Sequence, residues 1–387
     1  MHVHFLGEPD NGIRPSSQWA RALSSLGLDV PVSAEPEWDR QAWHEVCNRC
    51  DVIHLITYSQ NDHRLLRKLW QARKRGVALV RTWVGSDCLW ALHHRPTRRF
   101  AHDLARLGTL QLTVADHLTD ELAQIGLPAS TIPSIAPGLV SEGDPPPWPE
   151  RFSVLCYLPS RRRVFYGGAI FDGLVEAFPE VDFVVLCDGE TDYRDRPNVT
   201  SIDHADNMAA VVARCSVLVR PAMHDGMPKM VLEVLSLGRQ VIASHEYPHC
   251  HCAHHPQEYA EILRAIQRQP QMNVDGCRHV RTTFAVERTI GVFLDRLLSQ
   301  IKHDRADRRR LGRRQAMAMA VRRPGMFTGW SATPPRVADL PQEAIALRGA
   351  LQGRGGPITP TAGDSDGHWM SGKKRRQARS MSRSSLP

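Results

Sequence analysis

Asp225 and Glu233 stand eight positions apart in VLVRPAMHDGMPKMVLEVLSLGRQVIAS, the stretch from Val217 to Ser244. The first precedes an apparent helix and the second lies about two turns into it, so both carboxylates can face one pocket. Within MVLEVLSL, Glu233 is the only charge, on a helix too apolar to lie open on a surface. A buried carboxylate is costly unless it is hydrogen-bonded. A sugar diol would supply two O–H donors, and a neighbouring backbone group or arginine would serve as well. The loop carrying Asp225 ends at a helix N-terminus, where free N–H groups suit a phosphate.

The elements that must hold these groups are legible around them. Cys215 to Arg220 is an apolar, β-branched run suited to a buried parallel strand, and Pro221 to Gly226 carries turn chemistry. Pro228 fits a first helical position, Gly238 fits a left-handed stop, and QVIAS resumes a strand. In this order Pro221, Asp225, Gly226, Pro228, Glu233, Gly238 and Val241 fall in step with a known pattern. The segment resembles the donor-site signature of retaining glycosyltransferases of the GT-B fold, family 4 in particular, where Pro-x-x-x-Glu-Gly opens a Glu-x7-Glu motif. The first Glu of that motif is Asp225 here, which keeps the charge and shortens the reach by one methylene.

A second cluster, Arg161, Arg162 and Arg163, follows the strand Ser153 to Leu158 and precedes a helix near Gly168, which places it at a strand end. Guanidinium forks match phosphate oxygens and stabilise the charge that develops on a diphosphate leaving group; a solvated basic turn is the other reading. In the family this cluster resembles, an Arg and a Lys five positions apart do this work. The spacing puts Arg161 at the first position and Tyr166 at the second.

Further along the resemblance, TWVGSD (Thr82 to Asp87) and the run from Leu112 to Leu139 look like the family's His-Gly-Ser-Asp turn and the strand, helix and strand after it. Val84 stands where that turn often has His. Asp87 is a candidate to orient an acceptor hydroxyl or, equally, to cap the following helix. The loop GEPDNGIRPSSQ, with Gly7 and Gly12, occupies the place of the family's glycine-rich loop beside the donor. His54 reads as a polar group at the cleft or a hydrogen-bonded core residue.

Composition bounds the rest. The 387 residues suffice for two domains with sizeable cores, and a 42% hydrophobic fraction without a long apolar run fits a globular protein with no membrane span. The N-terminus enters a short strand without a signal-peptide pattern, and nine scattered Cys read as reduced cytoplasmic thiols. The net charge of +8 is concentrated from His303 onward, where 17 Lys and Arg stand against 6 Asp and Glu.

Short strands at Met1 to Leu6, Leu28 to Val32, Asp51 to Ile56, Val77 to Trp83 and Thr109 to Val114 alternate with helical stretches, which implies a parallel sheet covered on both faces. A proline-rich linker, Gly143 to Glu150, leads to a second α/β set that closes with a helix from Val286 to Ile301. The expected fold class is α/β, two Rossmann-like domains facing a cleft. The first, over 1–142, lies on the acceptor side. The linker spans 143–150, the nucleotide-sugar donor domain spans 151–302, and 303–387 forms a disordered basic tail.

Two other features invite assignment. HEYPHCHCAHH, His245 to His255, is dense in His and Cys, but its spacing does not match a closed zinc site, and a polar loop lining the donor pocket is the competing reading. Asp62 to Arg75 alternates basic groups with Leu65, Leu66, Leu69 and Trp70, the pattern of a surface helix packed on a sheet or of one docked on anionic lipid. The tail, with Lys373 to Arg376, could meet an anionic membrane surface, and no stacking aromatics accompany it to suggest a specific nucleic-acid partner.

The resemblance implies a cytoplasmic, metal-independent glycosyltransferase, without cofactor, that moves a sugar from a nucleoside diphosphate to a saccharide, lipid-linked or other hydroxyl acceptor, peripheral to the inner membrane face if the tail docks there. In it Glu233 holds the donor ribose and Asp225 the sugar hydroxyls. The arginine cluster and the segment Gly226, Met227, Pro228 and Lys229 hold the diphosphate. Asp225, Arg161 and Asp87 are the candidate catalytic groups. The departures at Asp225, Tyr166 and Val84 keep an alternative open: a catalytically silent GT-B-like module that binds a nucleotide or glycan.

Overall fold

The computed structural model describes residues 2–7, 15–25, 32–34, 40–56, 63–134, 143–186, 193, 195–286 and 288–300. The loop containing Gly12, most of the expected strand Leu28 to Val32, and the basic tail with Lys373 to Arg376 lie outside the described residues.

The first half runs β1 (Val3–Gly7), α1 (Pro15–Ser25), β2 (Val32–Ala34), α2 (Arg40–Arg49), β3 (Val52–Ile56), α3 (His63–Lys74), β4 (Ala78–Trp83), α4 (Ser86–His93), α5 (Arg95–Arg106), β5 (Leu110–Thr113), α6 (Asp116–Gln124) and β6 (Ser130–Thr131). All pairs are parallel, in the order β2-β1-β3-β4-β5-β6. β3 and β4 are buried along their full length, as strands covered on both faces must be. Leu65, Leu66 and Leu69 of α3 pack into this core, while Lys74 lies 3.8 Å from the Trp70 ring centroid. The apolar stripe of α3 is thus turned to the sheet and not to a lipid.

The second half runs β7 (Ser153–Tyr157), α7 (Gly168–Ala177), β8 (Asp182–Leu186), β9 (Val199–Ile202), α8 (Met208–Ala213), β10 (Val217–Arg220), α9 (Lys229–Ser236), β11 (Gln240–Ala243), β12 (His251–Cys252), α10 (Pro256–Arg268) and α11 (Val274–Thr283). Its sheet is also parallel, ordered β12-β11-β10-β7-β8-β9. Strand order therefore reverses between β7 and β10. In open parallel sheets the crevice at such a switch point, at the strands' C-terminal ends, is where ligands bind.

Two findings change the expected domain layout. The last helical run, 288–300, packs on the first sheet: Ile290, Phe293 and Leu297 join the core formed by Val3, Phe5 and Trp19. Gln300 also donates to the Gly108 carbonyl at 3.1 Å. Residues 288–300 thus belong structurally with the first domain, and an apolar helical stripe carries no mark of which sheet it will cover. The linker is fastened to the second domain. The wholly buried Arg239 donates to the carbonyls of Pro146 (3.1 Å) and Pro147 (2.7 Å).

His54 is a core residue, hydrogen-bonded to Thr82 at 2.7 Å and ringed by Phe5, Trp19 and Phe293. Burial pushes its pKa down to about 3. Among the described residues, no helix is long and apolar enough to cross a membrane.

Candidate functional site

β10 ends at Arg220, beside the end of β7 and hence at the switch point. The loop of residues 221–228 folds Asp225 back onto this arginine. Nε of Arg220 donates to Asp225 Oδ2 at 3.0 Å and Nη2 to the same oxygen at 2.5 Å. Asp225 Oδ1 accepts from the Gly226 amide at 3.0 Å. Both carboxylate oxygens are thereby engaged. Burial disfavours the guanidinium charge, but Asp225 outweighs it and holds the Arg220 pKa above its ordinary value.

On α9, Lys229 and Glu233 stand one turn apart on one face. Burial raises the Glu233 carboxyl, opposed by Lys229. Burial also draws Lys229 down to about 8, with Glu233 opposing the shift and Arg21 of α1 adding to it. Glu233 is half-buried, and the lysine one turn before it is the charge that favours its ionised form. Arg21 belongs to the first domain, so this face of α9 looks across the cleft. Pro228 caps the helix from just outside instead of opening it, and Gly238 closes it with φ +68°.

The C-terminal edges of the two sheets meet at this loop. Gly85, between β4 and α4, has φ +145°, and a β-carbon there would come 2.9 Å from the Gly226 amide nitrogen. One on Gly226 would come 2.1 Å from the Val84 carbonyl oxygen. Met227 packs against the cores of both halves. His117 Nε2, at the start of α6, donates to the Asp225 carbonyl at 2.8 Å, and Tyr247 donates to the Gly226 carbonyl at 2.6 Å. His224 and Glu121, both buried, join across the domains at 2.8 Å. The His245 ring lies 4.9 Å from that of His117 and 5.9 Å from that of His224. The start of the His-rich segment thus borders the Asp225 loop.

Other expected groups are placed differently. Asp87 Oδ1 accepts from the amides of Val84 and Gly85 at 3.0 Å and of Cys88 at 3.1 Å, and burial raises its carboxyl pKa. It braces the turn that meets Gly226, and at 5% exposure it does not present itself to an acceptor. Arg163 is bound to Asp172 at 2.6 Å, its guanidinium lying over the Tyr193 ring. Arg162 lies over Phe165, 4.4 Å from the ring centroid, and Arg161 is exposed on a short turn, Ser160–Arg162. Gly7 is the last residue of β1. Asp225, Met227, Lys229 and Glu233 follow one another along the loop and the first turns of α9, whereas Arg163 and Asp87 are bonded elsewhere.

Motif spacing does not point to Arg220, His117, Glu121 or Tyr247, which the fold brings to this loop. Only Arg220 carried a usable signal: a charged residue ending a buried strand and followed by proline. The others meet the loop from sequence separations of 21 to 108 positions.

Two parallel sheets of Rossmann-like connectivity with their C-terminal edges opposed define the GT-B fold. No protein-family model matches the chain, and no curated protein matches it. Among solved structures, it is similar to Anabaena HepE in complex with UDP and glucose, at 14% identity and a TM-score of 0.56, covering 77% of this chain and 100% of that one. It is also similar to a glycosyltransferase from Rickettsia africae at 11% identity and a TM-score of 0.54, covering 78% and 98%. The pneumococcal O-GlcNAc transferase GtfA in complex with UDP and GlcNAc aligns at 11% identity and a TM-score of 0.50, covering 67% and 59%. At these identities the likeness is one of fold.

Proposed function

We propose that this chain is a glycosyltransferase that moves a sugar from a nucleoside diphosphate to a hydroxyl acceptor, a saccharide or a lipid-linked one. The observation that carries this reading is the placement of Asp225 and Glu233. Both stand at the switch point of the second sheet, one on the loop against which the first domain closes and the other on the helix that follows. The structures of like fold contain UDP with glucose or GlcNAc, which agrees with a nucleotide-sugar donor.

In this reading Glu233 accepts the ribose hydroxyls and Asp225 the sugar hydroxyls. Lys229, Arg161 and the amides opening α9 receive the diphosphate. The bond between the anomeric carbon and the diphosphate oxygen breaks as an acceptor hydroxyl oxygen bonds to that carbon. The hydroxyl proton passes to the departing diphosphate, and stabilising that leaving group supplies most of the rate. Among the described residues no side chain is placed as a general base, and attack from the leaving group's own face, with retained configuration, accords with this reading. A nucleoside-diphosphate sugar donor fits action in the cytoplasm.

One observation favours the rival reading of a silent nucleotide- or glycan-binding module: both oxygens of Asp225 are already bonded within the protein. Thermal stabilisation by nucleoside diphosphates and their sugars, repeated with Glu233→Ala and Arg161→Ala, separates the outcomes. The transferase reading expects stabilisation that both variants weaken, and sugar release with saccharide or lipid acceptors. Stabilisation without release by any acceptor identifies the silent module, and no stabilisation by any nucleotide removes the donor assignment.

A further inference from the structure

We propose that Arg220 adds a further cation to the diphosphate site, delivered from the neighbouring strand beside Tyr166, which occupies the position of the family's lysine. This rests on the nucleotide-sugar reading above and assigns a group to it that the motif does not contain.

Two observations point to Arg220. It ends β10 beside β7, so its guanidinium emerges at the switch point where a diphosphate would lie. Its carbon Cζ stands 4.8 Å from the ring centroid of Tyr166 and 5.4 Å from that of Tyr157, so the charge sits against the residue found where a lysine is expected. Of the arginines nearest in sequence to Tyr166, Arg163 pairs with Asp172, while Arg162 lies over Phe165 and, at 5.3 Å from its ring centroid, over Tyr166 as well. Arg161 alone of that cluster is left facing solvent.

The pairing of Arg220 also suits the role. Its side chain is 9% exposed, and such a charge needs a fixed counter-charge when no ligand is bound. Asp225 provides it through a single oxygen, approached by Nε and Nη2 together. This is a one-sided grip and not a fork on both oxygens, so the guanidinium edge bearing Nη1 is not matched to the carboxylate. A diphosphate oxygen can be received there while Asp225 keeps the plane oriented. The two tyrosine rings hold that plane as well, by cation–π attraction.

The test is calorimetric titration of the full chain with UDP, UMP and uridine. Arg220→Gln should lose at least about tenfold in affinity for UDP, as expected for a charge-assisted contact. Uridine affinity should stay within about twofold, because the contact is to phosphate. Arg220→Lys should fall between, and Tyr166→Lys added to Arg220→Gln should restore part of the loss. Because Arg220→Gln leaves Asp225 without its partner, the pair Arg220→Gln with Asp225→Asn serves as a neutral, folded control and should show the same UDP-selective loss. A folded variant that binds UDP as the wild type does would make Arg220 a structural partner of Asp225 and overturn the proposal while leaving the donor reading intact. Wild-type protein that binds no nucleoside diphosphate of any base would overturn both.

Discussion

Lys229 holds its charge against burial, with its pKa drawn down to about 8, and a bound anion would relieve that opposition. A diphosphate beside it keeps the ammonium protonated, so binding takes up a proton above that pH. Affinity for UDP is expected to fall as pH rises from 7 to 9.5 by about tenfold or less per pH unit, and to be weaker and level in Lys229→Met. Titration across that range checks this, and a level wild-type profile would separate Lys229 from the diphosphate. Stability follows the opposite trend. An unfolded lysine keeps its proton to about 10.4, so between these values the unfolded state binds more protons and the Lys229 contribution rises with pH. Gly226 makes a steric prediction. A methyl group there meets the Val84 carbonyl at 2.1 Å, backbone against backbone, and cannot be absorbed by a side-chain rotation. Gly226→Ala should destabilise the chain by about 1–3 kcal/mol in denaturant unfolding, or separate the two domains as seen in solution scattering.

At the scale of elements, α6 and the loop after β10 are joined through His224 and Glu121, both inside the domain contact. His224→Ala leaves the Glu121 carboxylate in that contact without this partner, and the expected loss is about 1–3 kcal/mol. In a double-mutant cycle, Glu121→Ala should then add less than it does alone, and full additivity in denaturant melts would show that the two do not act as a pair. The strands were legible because both sheets are parallel and buried: runs such as Val52–Ile56 and Val217–Arg220 are apolar without alternation and end in turn residues. The helix bearing Glu233 was legible from its caps. Asp225 and Glu233 are legible from spacing, whereas the arginine that binds Asp225 is not. Lys229 lies four residues from Glu233 and could have been read from helical periodicity, whereas Arg220 reaches Asp225 only because the loop turns back on the strand. Arg163 illustrates the converse. It stood in a basic run that looked uniform, but Asp172 on α7, nine positions away, withdraws it.

At the scale of the whole molecule, the run 288–300 makes the two halves interdependent. Phe293 is fully buried, its ring 4.2 Å from that of Trp19, in the core of the domain farthest from it in sequence. Phe293→Ala is expected to lose about 3–5 kcal/mol, read as a lowered unfolding transition of the first domain. If that transition does not move, this helix is not part of the first domain's cooperative unit. The same feature means that the backbone passes between the halves twice, once ahead of Gly143 and again between Phe284 and Ile290. The first passage leads into a segment fixed by Arg239 and the second into a helix seated on the opposite sheet. A body tied at one point can swing and twist freely; tied at two, it turns mainly about the line joining them. Separation of the sheets is thereby steered toward a single arc, and each return along it brings the backbone of Gly226 to the same register against Val84.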